Sequence, residues 1–397
     1  MGMIINIDQA LKEKSHYNVL REPLHEMMKA EQEAWEKENP IDLLFVRGTI
    51  SSFQETYTSS IGFAHAFTET SDFNIGPIFN QADGFTATYR TKTFQGSFII
   101  TQQTLEDGQY GRVKDEASAF GKRWRGDVVE YAMKSLEGAF GKETTWSAGD
   151  GKTSRIKLDS ADTVDGKITN PVKNPLFTKN HKTVDREDGT EVKSQTNLYY
   201  LDIDLNGDAY NKVSSVAAAL NEVITGMENL LDDNGKITGV NGAKDIVTAN
   251  NPHLNAIINT ALSMDMFKYG DSDILNVAYK RGTHKSTPYL NAICDGKCIF
   301  IVDKAYNASN HGLEFTERIP FTLDATELKR PNGIAYDGRQ RFDINTATWR
   351  GISCIYLGNP TTELPSWAAS ADMFTKIEVG TSIATPVKVV NASEIGA

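Results

Sequence analysis

An order of segments running from Phe73 to Leu262 narrows what this chain can fold into more than any single motif does. A threonine-rich hairpin comes first, followed by one long helix-period stretch from Arg112 to about Phe140. A polar, helix-poor stretch comes next, reading Asn174-Pro175-Leu176-Phe177-Thr178-Lys179-Asn180-His181 and later Ser194-Gln195-Thr196-Asn197. An amphipathic helix, an Asp232-Asp233-Asn234-Gly235 turn and a short strand running into Asn251-Pro252-His253-Leu254 close the series.

The hairpin is expected over Phe85–Thr101, where Thr, Tyr, Phe and Ile favour strand. Gly96 interrupts it at the place for a bend or bulge. Polar residues lie on both of its faces, and an isolated two-stranded hairpin is marginal in water. It reads either as an ordinary surface hairpin or as a ribbon laid over a neighbouring copy. In the helix, Val113, Ala117, Phe120, Trp124, Val128 and Tyr131 are spaced by 3 and 4 and trace one stripe. At 1.5 Å per residue it spans roughly 40 Å, the length of a spine laid across a sheet. Residues 141–200 read as long loops with short strands, since Pro171 and Pro175 break any helix.

Val213, Val216, Ala217, Leu220, Val223, Ile224, Met227 and Leu230 give the second helix, which Gly235 helps to end. Asp245–Thr248 is a short buried strand. Asn251 before Pro252 reads as a helix cap and first position, with Leu254, Ile257, Ile258, Ala261 and Leu262 as the buried face. Beyond lie a strand at Ile274–Tyr279, a hairpin turning at Asp295-Gly296, a strand pair within Arg341–Leu357 and an edge strand after residue 370. At the other end, Leu24–Lys37 is a charged helix with too few apolar residues (Leu24, Met27, Met28, Trp35) for a core of its own. It reads as a solvated helix or as an arm docking on a neighbour.

Composition then excludes several classes. With 397 residues, 40% hydrophobic and 23% charged, the chain is long enough for two or three folded domains and is not a disordered one. Its 41 basic against 52 acidic residues, a net charge of −11, argue against a broad grip on nucleic acid, which needs surplus Lys and Arg to displace phosphate counterions. Three cysteines, Cys294, Cys298 and Cys354, point to a reducing compartment rather than a disulfide framework. No signal peptide and no run of the ~20 apolar residues that a membrane span needs is visible, so cytoplasmic synthesis is expected.

Motifs for chemistry fail on inspection. Gly151-Lys152-Thr153 ends like a phosphate-binding loop, but the glycine required five residues earlier is Trp146. Asp202, Asp204, Asn206 and Gly207 open like a calcium loop whose twelfth position is Val213 instead of glutamate. Zinc at Cys294 and Cys298 would need His284 and Cys354 at irregular spacing, so two buried strand cysteines are expected. No histidine pair or nucleophile elbow is present. No catalytic residue, cofactor or metal is therefore assigned.

Three of these stretches carry a resemblance. Thr93–Thr101 through Leu105-Glu106-Asp107 into the long helix is similar to the end of an extended loop and its entry into a spine helix. Pro175-Leu176-Phe177 with His181 and Ser194–Asn197 resembles an "LF…H…SN" stretch. The Asp232–Gly235 turn, Ile246-Val247 and Asn251–Leu254 resemble a "dG" turn and a "lvv-P-L" step. Together they resemble major capsid proteins of tailed double-stranded DNA phages, over about residues 75–265. The resemblance implies an α+β, Hong Kong 97-like fold. Its parts would be an N-terminal arm (1–47), a link into the peripheral domain (48–72), an extended loop (73–111), a peripheral domain with the spine helix (112–205), an axial domain (206–340) and a return to the peripheral domain with C-terminal strands (341–397).

The resemblance also implies a virion shell subunit whose partners are other copies of itself in pentamers and hexamers, with scaffolding, portal and decoration proteins, enclosing DNA without sequence-specific binding and without a membrane. Trp35, Tyr89, Phe94, Phe98, Arg123 and Arg125 are the candidate subunit contacts. A bacterial nanocompartment shell of the same fold and an uncharacterised α+β hydrolase are the other readings.

Overall fold

The computed structural model describes residues 39–62, 82–107, 110–147, 151–162, 172–184, 191–205, 209–232, 235–269, 272–329 and 332–378. The chain enters at a 3-10 turn, Pro40–Leu43, and runs through β1 (Val46–Thr49), β2 (Gln54–Gly62), β3 (Ala82–Arg90) and β4 (Lys92–Thr101). The short α1 (Gln102–Glu106) precedes α2 (Tyr110–Glu137). Small strands follow: β5 (Thr144–Ser147), β6 (Thr153–Ile156), β7 (Asp159–Asp162), β8 (Val172–Pro175), β9 (His181–Val184) and β10 (Glu191–Gln195). Then come β11 (Leu198–Leu201), α3 (Ala209–Glu228), β12 (Lys244–Ala249), α4 (Pro252–Ser263), β13 (Met266–Tyr269), β14 (Ser272–Leu275), β15 (Thr283–Thr287) and β16 (Cys298–Asp303). The described chain ends with α5 (Lys304–Asn310), β17 (Glu314–Lys329), β18 (Asn332–Asn345), β19 (Ile352–Leu357) and β20 (Thr375–Lys376). The mixed α+β class expected from the sequence is the class observed.

Two sheets organise the molecule. The first is four-stranded in the order β1-β17-β18-β4. The predicted stripe of α2 lies along it: Val113, Ala117, Val128 and Tyr131 are buried, and Phe120 and Trp124 pack beside them. Gly96 pairs with Gly338 across β4 and β18, so the register is unbroken and there is no bulge. The two glycines instead leave room on the sheet for the rings of the helix. A Cβ at Gly96 would sit 3.3 Å from Trp124, and one at Gly338 3.1 Å from Phe120. The Trp124 indole stacks at a tilt on Phe321, 4.9 Å away, and donates to Gln340 Oε1 at 2.8 Å. Trp124→Ala is expected to lower the stability of the fold by roughly 3 kcal/mol, the lower part of the range for a buried aromatic because the ring is only partly covered. Urea denaturation followed by circular dichroism measures it.

The second sheet has the order β15-β12-β16-β19-β11-β20 and is covered on both faces. Ile299, Ile301, Ile355 and Leu357 point to α3 and α4, while Phe300, Val302, Cys354 and Tyr356 point into the central core shared with the C-terminal part of α2. Double coverage is why β16 and β19 read as continuous apolar runs instead of alternating. Asn251 caps α4 as expected, its side chain accepting from His253 and Leu254 N–H groups, and all five predicted core positions of that helix are buried.

Several expectations are corrected. The stretch 85–101 is not one hairpin: β3 pairs antiparallel with β2, whereas β4 pairs with β18. The ribbon is thus β2–β3, and β4 belongs to the body. Residues 41–47 are not arm, since Ile41, Leu44 and Phe45 are buried in the core and β1 pairs with β17. Residues 1–38, with the helix expected at Leu24–Lys37, lie outside the described residues. The return to the spine-helix unit comes at Glu314 rather than at 341, because Phe315, Leu323, Ile334, Tyr336 and Phe342 bury against α2 and its surroundings.

Asp295-Gly296 makes no hairpin either. β15 and β16 lie on opposite sides of β12, one parallel and one antiparallel, so the connection between them crosses β12. Cys294 accordingly sits in a 3-10 turn at φ +52°, not in a strand. β18 and β19 do not pair with each other but belong to different sheets. Lys152-Thr153 leads into β6 of a hairpin, so the strand-to-helix context of a phosphate loop is missing.

Candidate assembly surface

Pro175–His181 and Ser194–Asn197 tie the six-stranded sheet to the segment that follows α2 and to the connection between β18 and β19. Asn197, wholly buried, donates through Nδ2 to the carbonyls of Leu176 (2.7 Å), Ile352 (3.3 Å) and Trp349 (3.4 Å). Its Oδ1 accepts from the Thr178 N–H at 3.0 Å. His181 Nε2 lies 3.3 Å from both the Leu176 carbonyl and Asn197 Oδ1, two acceptors, so this nitrogen carries the proton. The His181 ring stacks flat on Trp349, with centroids 4.0 Å apart and planes 3° from parallel. Gln195 clips the Leu231 backbone in both directions, at 2.7 and 3.2 Å, immediately before the Asp232–Gly235 turn. Gly235 takes φ +73° there, and its N–H donates to the Asp232 carbonyl at 3.1 Å. Residues that the sequence shows as separate signals thus form one polar knot in a dry core. It fixes the β11–β19 sheet relative to the segments leaving α2.

The ribbon β2–β3 stands outside both sheets. Its base is fastened by a small cluster of Ala87, Tyr89, Ala161 and Ala347 with Tyr57 packed against it. Tyr57 stacks on His311 with centroids 4.0 Å apart, and Tyr89 donates its hydroxyl to the His311 carbonyl at 3.1 Å. Burial and the Glu55 carboxylate push Tyr57 up to about 12. Beneath it, His311 Nδ1 meets Glu314 at 3.1 Å. Burial raises the Glu314 carboxyl, and the histidine opposes the rise.

The candidate contact residues divide. Tyr89 does not reach the surface: it is only 1% exposed and packs inside its own chain. Phe94 stacks on Phe342 at 4.4 Å, and Phe98 on Tyr336 at 5.1 Å, so both rings serve the chain's own sheet–helix packing. Arg123 is on the exposed side of α2, paired with Asp127 at 2.7 Å and Glu130 at 3.7 Å, and Arg125 is half-buried on the same helix. Trp35 lies outside the described residues. Surface residues that sequence reasoning missed include Leu275, 73% exposed beside Val277 and Met266 at the β13–β14 hairpin, and Phe53 before β2. Nothing local marks them, because an apolar residue in a strand pattern is read as core by default.

His284 uses both ring nitrogens, on Thr248 at 2.9 Å and Asn259 at 2.8 Å, which removes it from the cysteines. All three thiols are free and buried. Among the described residues no group of His, Cys, Asp or Glu is placed to hold a metal ion, and no helix is long and apolar enough to cross a membrane.

One titration on α3 has a measurable consequence. Burial raises the Glu222 carboxyl to about 7 from 4.5, and its Oε2 has no hydrogen-bond partner. Below 4.5 both folded and unfolded chains hold the proton. Between 4.5 and about 7 only the folded chain does, so stability falls as pH rises through that window. Glu222→Gln is expected to abolish this slope. It should stabilise the fold by about 1 kcal/mol at alkaline pH, discounted for partial exposure, and do nothing in acid. Thermal melts across pH test it.

No protein-family model matches the chain, and no curated protein does. Solved structures do. The virus-like particle from Pyrococcus furiosus is similar at 11% identity and a TM-score of 0.42, over 84% of this chain and 98% of that one. The bacteriophage PhiM1 mature capsid is similar at 10% identity and 0.44, over 79% and 86%. The satellite phage P4 procapsid, which includes a size determination protein, is similar at 11% and 0.42, over 83% and 98%.

Proposed function

We propose that this chain is a structural subunit of Hong Kong 97-like fold that self-assembles into the icosahedral head shell enclosing phage double-stranded DNA. The observation that carries the reading is the β2–β3 ribbon. Its nine-residue strands span roughly 30 Å. They join neither main sheet, and their described apolar anchorage is confined to the base at Tyr57, Ala87 and Tyr89. A two-stranded ribbon is marginal alone, so this one needs a surface beyond its own subunit. A body stiffened by a long helix on a sheet and locked by the Asn197 knot suits a tile that meets copies through many weak contacts, whose sum exceeds any one of them.

In this reading the partners are other copies in pentamers and hexamers, with scaffolding, portal and decoration proteins completing the particle, and the chain's part is structural rather than catalytic. α2 and its sheet form the peripheral part, and α3, α4 and the six-stranded sheet the axial part. Arg123 and Arg125, with Trp35, remain the contact candidates.

Negative-stain electron microscopy of the concentrated protein, alone and co-expressed with neighbouring reading frames, tests this. Closed polyhedral shells, or free pentamers and hexamers, are expected. A uniform monomer under every condition would overturn the proposal, and particles filled with protein rather than DNA would identify a nanocompartment.

A further inference from the structure

The outward face of the four-stranded sheet carries a charge pattern that assembly alone does not use. Along β18, Tyr336, Gln340 and Phe342 turn toward α2, so Arg339 and Arg341 turn to the opposite face by strand alternation. Arg339 pairs in register with Thr322 on one side and Gln95 on the other, and Arg341 with Ile319 and Thr93. Arg318 joins them from β17. Arg341 lies over the ring of Phe53 at 5.7 Å, and that ring is 55% exposed. Partial desolvation, then the positive charges of Arg318 and Arg339, pull Arg341 below its ordinary value.

Among the described residues, none of the three arginines has an ion-pair partner, in contrast to Arg112, Arg123 and Arg155. Two acids share this face, Asp337 and its cross-strand partner Asp324, and Asp337 is engaged with the hydroxyls of Ser97 at 2.5 Å and Thr326 at 3.2 Å. Three guanidinium groups thus stand together on one face without a carboxylate partner among the described residues.

We propose that Arg318, Arg339 and Arg341, with Phe53 beside them, form a non-specific contact for the phosphate backbone of nucleic acid. Charge complementarity selects the ligand class, and the make-up of the face selects nucleic acid over protein. A protein interface needs an apolar centre. Around these arginines the face offers Thr93, Gln95 and Thr322, with Ile319 beside Arg341, Asp324 and Asp337 further along and Phe53 at its edge; one part-buried isoleucine is no apolar centre, and a polar cluster of arginines is the make-up of nucleic-acid interfaces. Arginines interleaved with an exposed aromatic ring grip a backbone without reading its sequence. Three contacts on a chain of net charge −11 make a weak, exchangeable hold, suited to a wall that must touch DNA without trapping it.

The inference rests on the shell reading only for the source of the DNA. Its test uses the unassembled full chain, a short fluorescent double-stranded oligonucleotide and anisotropy between roughly 50 and 200 mM salt. The plot of log affinity against log salt is expected to have a slope of about −3, losing about one unit with each of Arg318→Gln, Arg339→Gln and Arg341→Gln. Arg112→Gln and Arg155→Gln, at paired positions, should leave it unchanged. Arg339 is exposed, so its variant reports even if Arg341→Gln misfolds. No binding at low salt, or an unchanged slope in the triple variant, overturns the inference. So does loss of self-association in the triple variant without any DNA dependence, which would make the ligand an acidic face of a second copy. Particles with a flat salt slope would sink this inference alone, whereas binding without particles would sink the shell reading alone.

Discussion

Asn197→Ala is expected to lower the unfolding free energy of the isolated subunit by about 4 kcal/mol. The substitution removes one amide that serves three carbonyls and one backbone N–H in a dry core. Each buried group left without a partner costs about 1–3 kcal/mol, and the network makes the total less than the sum. The Leu176 carbonyl keeps His181 as a donor, which limits the loss. His181→Phe separates packing from hydrogen bonding: the stack on Trp349 survives, so about 1–2 kcal/mol is expected. Urea titration of both variants checks the order. Equal, small losses would show that the knot is not what holds the six-stranded sheet to the segments around it.

Excising the ribbon should do the reverse, sparing the subunit and abolishing assembly. Thr58 and Thr86 face each other in register, so a two-residue Asn-Gly turn joining them closes the base as a short hairpin. Tyr57, Ala87 and Tyr89 remain, and with them the packing on Ala161, Ala347 and His311. The melting temperature is expected to shift by only a few degrees, since none of the described residues of the main core is removed. Shell formation, followed by light scattering and electron microscopy, should fall to background. Full-sized particles from this variant would remove the observation on which the proposed function stands.

Much of the local structure was legible in the residues themselves. The spacing of Val113, Ala117, Phe120, Trp124, Val128 and Tyr131 determined both the helix and its buried face. Asn251 and Pro252 determined a helix start, because a side-chain acceptor followed by a residue without an N–H suits that position and few others. The Asp232–Gly235 turn was likewise written in its glycine, which takes the positive φ that the turn requires.

What the residues left open was pairing. β3 and β4 are one continuous β-prone run, and only Thr91 between them separates a strand that leaves with β2 from one that joins β18. That choice placed Tyr89, Phe94 and Phe98 inside the subunit when their polar neighbours had pointed outward. The convergence of Arg318, Arg339 and Arg341, and of Asn197 with carbonyls more than 150 residues away, was equally unreadable. Periodicity reports which way a side chain faces along its own element, and capping reports where an element stops. Both are short-range properties of the chain. Partners across a sheet are decided by which apolar faces can be buried together, a competition over the whole molecule that tertiary packing alone resolves.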